Sequence, residues 1–194
     1  IAYEGSKEVK RLRIINTAEL EIEAQKILPK GGFDYIQSGS GAEYTKRENL
    51  RAMEATGIEP HFLSGVLKPD LSVSIFGSNL PFPIIVAPMA DQKRFHPDAE
   101  LATAKGAAAG KALLIVSSRS SVALADIAAI AKPSFWYQVY ASDSAAKTQV
   151  QDAVKAGAKA IVITVGASHA ANGPRPATAT SINWAAVDAI RQGV

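Results

Sequence analysis

The sequence predicts an α/β protein built from successive strand–helix units, with a (β/α) barrel favoured over an open sheet. Three observations carry this. Short apolar runs rich in β-branched residues begin near residues 83, 112, 134 and 160, and such runs suit parallel strands buried on both faces. Stretches with helical spacing separate them, which is the alternation of an α/β protein. No Gly-x-Gly-x-x-Gly follows the first strand and no Gly-Lys-Ser/Thr phosphate loop occurs, which lowers the case for a dinucleotide-binding open sheet.

Length and composition set the outer bounds. At 194 residues the chain allows one domain with a small appendage. With 47% apolar and 20% charged residues it has the make-up of a soluble globular protein with a sizeable core. The net charge of +3 is spread out, and the one dense basic cluster (Lys7, Lys10, Arg11, Arg13) is too small to argue for nucleic acid. No basic stripe with interleaved aromatics appears either. The absence of cysteine excludes disulfides and thiolate metal sites and fits a reducing compartment. No run approaches the about 18 apolar residues of a membrane span, and the start lacks the basic-then-apolar order of a signal peptide. The expectation is a cytoplasmic protein with no membrane or nucleic-acid partner.

Residues 1–82 read as an arm, helices and short extended segments, and residues 83–194 as the strand–helix units. Residues 1–13 are polar and form a loose arm. Asn16-Thr17-Ala18-Glu19 opens a helix, Asn16 capping and Glu19 reaching back. Leu20, Ala24, Ile27 and Leu28 form its apolar stripe, ended by Pro29 and Gly31-Gly32. Phe33-Asp34-Tyr35-Ile36 makes a short second helix that stops at Ser38-Gly39-Ser40-Gly41. Thr45-Lys46-Arg47-Glu48 is the capping box of a third, with Leu50, Met53 and Ala52 inward. Residues 58–63 and 71–76 are extended, and Gly77-Ser78-Asn79 supplies a turn.

The run Pro83-Ile84-Ile85-Val86-Ala87-Pro88-Met89-Ala90 starts the rhythm as a strand stopped by Pro88. A polar loop, Asp91-Gln92-Lys93-Arg94-Phe95-His96, leads to a helix over 97–109. Strands follow at 112–117, 135–140 and 160–165, with helices at 122–131 and 144–156. Val150, Ala153 and Val154 face inward on the latter. After a Gly/Ala/Pro-rich loop, 183–191 forms a last helix.

Chemistry is expected at the strand ends. The second strand ends in Ser117-Ser118, the third holds Gln138 and Tyr140, and the fourth holds Thr164. In a barrel these mouths converge on one site. Buried polar side chains cost free energy unless they meet a partner, and a bound cofactor is one way to supply it. Singly, each reads as a local hydrogen bond or, for Tyr140, as packing. At three successive strand ends they favour a ligand. None is an obvious acid or base, so they suit hydrogen bonding to a planar heterocycle. His61, His96 and His169 lack metal-ligand spacing, so no metal site is expected. His96 suits a helix cap or an exposed surface position, and His169, in the loop after the fourth strand, a solvated position rather than one facing a ligand. A serine-hydrolase reading fails for want of a Gly-x-Ser-x-Gly elbow. Arg175 is placed either to clamp an anionic substrate or to stand as a solvated loop charge.

Several motifs in order resemble the FMN-dependent α-hydroxy-acid oxidase/dehydrogenase family, from about residue 14 onward, and within it the L-lactate oxidases. They are Leu28-Pro29-Lys30-Gly31-Gly32-Phe33-Asp34-Tyr35-Ile36, Thr45-Lys46-Arg47-Glu48-Asn49, Ile85-Val86-Ala87-Pro88-Met89-Ala90 and His96-Pro97. Ser117-Ser118, Tyr137-Gln138-Val139-Tyr140 and Gly157-Ala158-Lys159-Ala160 with Thr164-Val165 complete the set. Gly31-Gly32-Phe33 tilts the likeness toward lactate oxidases, while Gln92-Lys93 with His96-Pro97 looks more like the glycolate enzymes.

The resemblance implies a (β/α)8 TIM-type barrel of which this chain covers N-terminal helices and about the first four βα units. It implies oxidation of an L-2-hydroxy acid, lactate favoured, to the 2-oxo acid, with O2 as acceptor giving H2O2. By position, Tyr35, Tyr140 and Arg175 would bind substrate. Pro88, Met89 and Ala90 would face the flavin ring of FMN, and Ser117, Gln138 and Thr164 would bond its polar edge. The histidine base and the FMN phosphate site would come from the barrel's second half, so this chain alone is expected not to turn over substrate, and the assembly would be a homotetramer. One departure stands out: the family's Thr-Val-Asp is here Thr164-Val165-Gly166, which is expected to cripple catalysis. The competing readings are a non-catalytic half-barrel that needs a partner or a complementary half, a glycolate oxidase-like enzyme, and another phosphate-ligand barrel.

Overall fold

The computed structural model describes residues 15–165 and 182–194. These fall into two compact units that part between Asp70 and Leu71.

The first unit holds three helices, α1 (Ala18–Ile27), α2 (Lys30–Gln37) and α3 (Tyr44–Glu54). The cap predicted for α1 forms: Asn16 Oδ1 accepts the Glu19 N–H at 3.2 Å, and the Glu19 carboxylate accepts the Ile15 N–H at 2.9 Å. The second helix starts earlier than its apolar residues indicate, and Gly31-Gly32 lie inside its first turn rather than ending α1. The Pro29 carbonyl explains this, because it accepts the N–H groups of Gly32 and Phe33 at 2.9 and 3.0 Å. The Thr45 capping box does not form. Glu43 enters α3 with left-handed backbone (φ 58°), its carboxylate takes the Gly39 N–H at 2.7 Å, and Glu48 pairs with Arg51 at 2.6 Å instead. The Gly39 hydrogen bond and the nearby Lys46 and Arg47 charges hold the Glu43 carboxyl below its ordinary value. Leu50 and Met53 are 64% and 77% exposed rather than inward, since no helix of this unit buries a residue against another. Residues 58–63 pair with no strand and end in a turn.

The second unit opens with an antiparallel hairpin, β1 (Val73–Ile75) and β2 (Ser78–Leu80), in the register Val73 to Leu80 and Ile75 to Ser78. Phe76 (φ 45°) and Gly77 (φ 72°) join them, the doubly positive geometry of a type I′ turn. The turn is thus one residue earlier than the sequence indicates, and Ser78-Asn79 are strand. A Cβ on Gly77 would meet nothing within 4 Å, so Gly77→Ala is a backbone test alone. It is expected to cost about 1 kcal/mol, read as a lower denaturation midpoint at unchanged slope.

Four parallel strands follow, β3 (Ile85–Val86), β4 (Leu113–Ser117), β5 (Phe135–Tyr140) and β6 (Ala160–Thr164), in the order β3-β4-β5-β6. A 3₁₀ turn (Gln92–Arg94) and helices α4 (Ala99–Ala109), α5 (Leu124–Ile130), α6 (Ala146–Lys155) and α7 (Trp184–Arg191) complete the unit. The expectation for β3 is corrected: it has two residues, both half-buried, and Ile84 beside it is 64% exposed. Among the described residues β3 pairs only with β4, so it lacks the second flank that doubly buried strands have. Val154 also turns outward, because the buried stripe of α6 is centred on Ala146, Val150 and Ala153 and leaves it at the rim. The Asn183 side chain caps α7 by accepting the Ala186 N–H at 2.9 Å.

Side chains alternate across the sheet. Leu114, Val116, Phe135, Tyr137 and Val139 pack on one face with helix residues such as Ala104, Ile127, Val150 and Ile190. Burial, with the Asp152 and Asp143 charges, pushes the Tyr137 hydroxyl up, so it stays neutral. On the other face Leu113 and Trp136 pack with Leu80 of the hairpin, flanked by Ile85, Ile115, Ala160 and Val162. The indole N–H of Trp136 donates to Ser78 Oγ at 3.2 Å, and Phe76 meets the indole edge-on at 5.6 Å. The hairpin therefore covers the strands' N-terminal end on this face and leaves the C-terminal end for other contacts.

Candidate functional site

Counting in twos from Leu113, Trp136 and Ala160 brings Ser117, Gln138, Tyr140 and Thr164 to the hairpin-side face, at the opposite, C-terminal end. The register sets Ser117 beside Gln138 and Tyr140 beside Thr164. Ser117 and Gln138 are 3% and 2% exposed. Ser117 Oγ donates to Gln138 Oε1 at 3.1 Å, and Gln138 Nε2 donates to Thr164 Oγ1 at 2.8 Å. The amide orientation follows from these two bonds. A buried polar row thus crosses three adjacent strands. Its amide keeps a second N–H and a second lone pair, and the Thr164 hydroxyl keeps its proton to donate. These are neutral donors and acceptors, fitted to hold a planar polar ring and not to move protons.

The residues that follow β3 lie at the same strand ends. Pro88 and Ala90 are half-buried and Met89 is 49% exposed, with the Met89 carbonyl accepting from Gln92 Nε2 at 3.3 Å. Tyr140 is half-buried, and the Arg119 guanidinium carbon stands 4.2 Å from its ring centroid. Tyr35 belongs to the first unit, on α2, where it is 57% exposed. Arg175, Gly166 and His169 lie outside the described residues. His96 is exposed, the second of the two roles expected of it: its Nδ1 accepts the Asp98 N–H at 3.1 Å, but α4 carries no side-chain cap.

Sequence reasoning missed Glu100. This residue of α4 is 3% exposed, yet its carboxylate accepts the Gln92 N–H (3.1 Å), the Ser121 N–H (2.9 Å) and the Ser121 hydroxyl (2.7 Å). Lys93 N–H also reaches Ser121 Oγ at 3.1 Å, and Asp91 N–H reaches the Arg119 carbonyl at 3.1 Å. Glu100 therefore ties the loop after β3 to the loop after β4, directly behind the polar row. Burial pushes its carboxyl up, but the hydrogen bonds from Ser121 and Gln92 outweigh that and leave it below its ordinary value. An acid in the first turn of a helix also fits a solvated N-terminus, so nothing local distinguished it.

A groove of about 490 Å³ opens at the other end of the strands, between Leu80, Ala107, Lys111, Leu113 and Lys132. It shares no residue with the row. No cluster of three or more metal-ligating side chains occurs among the described residues, and no described helix is long and apolar enough to cross a membrane.

The model of the FMN-dependent dehydrogenase family matches residues 24–187, which takes in all four strands and the row. The chain belongs to that family. An L-lactate oxidase of Lentilactobacillus hilgardii is 38% identical over 86% of this chain and 46% of its own length. A peroxisomal (S)-2-hydroxy-acid oxidase of Oryza sativa subsp. indica is 37% identical over 78% of this chain and 42% of its own. Among solved structures, a mandelate oxidase variant with (S)-mandelic acid superposes with a TM-score of 0.82 at 29% identity, over 93% of this chain and 59% of that one. The chain spans about half the length of the curated relatives it matches. The four parallel strands are those of the N-terminal half of a TIM-type barrel, as the sequence predicts. FMN is the cofactor of this FMN-dependent dehydrogenase family, and the row's unused donors and acceptors suit the alternating carbonyl and N–H groups of a flavin edge.

Proposed function

We propose that the chain forms the first half of an FMN-dependent enzyme that oxidises an L-2-hydroxy acid to the 2-oxo acid, with lactate favoured and O2 as acceptor. The observation that carries this reading is the buried Ser117–Gln138–Thr164 row at the strand C-termini, in a chain of this family. Ser117, Gln138 and Thr164 would hold the polar edge of the ring, and the backbone at Pro88, Met89 and Ala90 would flank it. Tyr35, Tyr140 and Arg175 would bind and orient the substrate carboxylate or hydroxyl. When bound, FMN supplies the two-electron acceptor, which O2 reoxidises to give H2O2. The histidine that takes the hydroxyl proton is assigned to the second half of the barrel, within a cytoplasmic homotetramer.

Gly166, where the family carries a carboxylate, favours a second reading of a flavin-binding half-barrel without turnover. Peroxide release from the FMN-loaded protein that carries this chain together with the barrel's second half, followed with L-lactate and with glycolate, separates the two. The proposal expects peroxide in step with O2 uptake and a higher rate on lactate. A higher rate on glycolate moves the enzyme to the glycolate side, and no peroxide with either supports the binding module.

A further inference from the structure

We propose that Gln92, held by Thr103 and Glu100 of α4, is a positioning residue for the flavin, fixing the Met89–Ala90 peptide that flanks the ring. This rests on the FMN reading above and gives the loop after β3 a part that the polar row does not play. Gln92 opens the 3₁₀ turn of that loop and is tied at three points. Its N–H donates to the Glu100 carboxylate at 3.1 Å, and its Oε1 accepts from Thr103 Oγ1 at 2.5 Å. Its Nε2 donates to the Met89 carbonyl at 3.3 Å. A hydroxyl can serve in either sense but a carbonyl only accepts, so the Met89 contact fixes which way the amide faces.

Glu100 and Thr103 stand three residues apart on α4, hence on one face, and both reach the same loop residue. Thr103 orients the amide, and the amide orients the Met89 carbonyl. A trans peptide is planar, so holding that carbonyl also sets the direction of the Ala90 N–H on the opposite edge of the plane. Burial alone does not hold this segment, because Met89 is 49% exposed and Ala90 only half-buried. Nor does the sheet, since β3 ends at Val86 and Pro88 has no N–H to give. The next tie along the chain, Asp91 N–H to the Arg119 carbonyl at 3.1 Å, fixes the following peptide and leaves this one to Gln92. A cavity of about 10 Å³ lies between Met89, Gln92, Glu100, Thr103 and Ser117, at the lower limit for one water. The brace therefore stands directly against the first residue of the polar row.

The test uses the protein that carries this chain together with the barrel's second half, and compares Gln92→Leu, Thr103→Val and the double variant. Gln92→Leu keeps the backbone N–H on Glu100, so the fold is expected to survive. FMN affinity, read by fluorescence quenching, is expected to fall roughly 3- to 10-fold in Gln92→Leu, the net weight of one neutral hydrogen bond. The visible absorption maximum of the bound flavin is expected to shift with it. Thr103→Val is expected to move both in the same direction by less, and to add nothing in the Gln92→Leu background, as for two groups acting in series. Affinity and spectrum unchanged in Gln92→Leu, whatever its denaturation midpoint, overturn the proposal and leave Gln92 as a brace of the loop alone. Additive losses overturn it as well, since Thr103 would then act without Gln92. An unmodified protein that takes up no FMN overturns the FMN reading itself, and this proposal with it.

Discussion

Gln138→Leu is expected to weaken FMN binding about 10- to 100-fold and to destabilise the fold by about 2–4 kcal/mol. Leucine keeps roughly the volume but removes both amide atoms. Ser117 Oγ then loses its acceptor at 3.1 Å and Thr164 Oγ1 its donor at 2.8 Å. Each is left in a water-poor strand end, where an unsatisfied polar group costs about 1–3 kcal/mol. FMN titration by fluorescence quenching and urea denaturation of the apoprotein read the two effects separately. Affinity equal to that of the unmodified protein would mean that the row is a structural network and that the ring is held elsewhere.

The second large effect belongs to Glu100. Glu100→Leu leaves the N–H groups of Gln92 and Ser121 without their acceptor and is expected to cost about 3–5 kcal/mol. Glu100→Gln retains a carbonyl for those two N–H groups, and its amide can donate to the Ser121 hydroxyl, so it is expected to cost only about 1 kcal/mol. The two variants also separate charge from hydrogen bonding through pH. The folded pKa of Glu100 is depressed, so its contribution is fully present above the unfolded value of about 4.3. It is lost as pH falls through the lower folded value. Stability measured from pH 6 downward is thus expected to fall less steeply in Glu100→Gln than in the unmodified protein. Equal slopes would show that the carboxylate's charge adds nothing to the clamp.

How far the sequence could be read depended on whether a residue's partners were implied by its own neighbours. β5 was legible residue for residue, because six consecutive aromatic, β-branched and amide residues are bounded by Pro133-Ser134 and by Ala141-Ser142. The polar row was legible for a related reason: Ser117, Gln138 and Thr164 interrupt runs that are otherwise apolar, and strand parity does the rest. β3 was over-read, since an apolar run cannot tell whether a second strand will cover its outer edge. The Thr45 capping box failed because the helix begins at Tyr44 and Glu43, one residue before it, turns its carboxylate back to the Gly39 N–H. Glu100 and Arg119 stayed hidden for a different reason. Their partners lie on other elements, Ser121 in the loop after β4 for one and Tyr140 at the end of β5 for the other, and no local spacing announces a contact between distant parts of the chain.

Whether this chain builds half of a flavin site for 2-hydroxy-acid oxidation is decided by anaerobic absorption spectroscopy of the protein that carries it. The visible bands of oxidised flavin are expected in the purified protein, bleaching when L-lactate is added and returning on admission of O2. A flavin spectrum that no L-2-hydroxy acid bleaches, or a protein that takes up no FMN, would contradict that assignment.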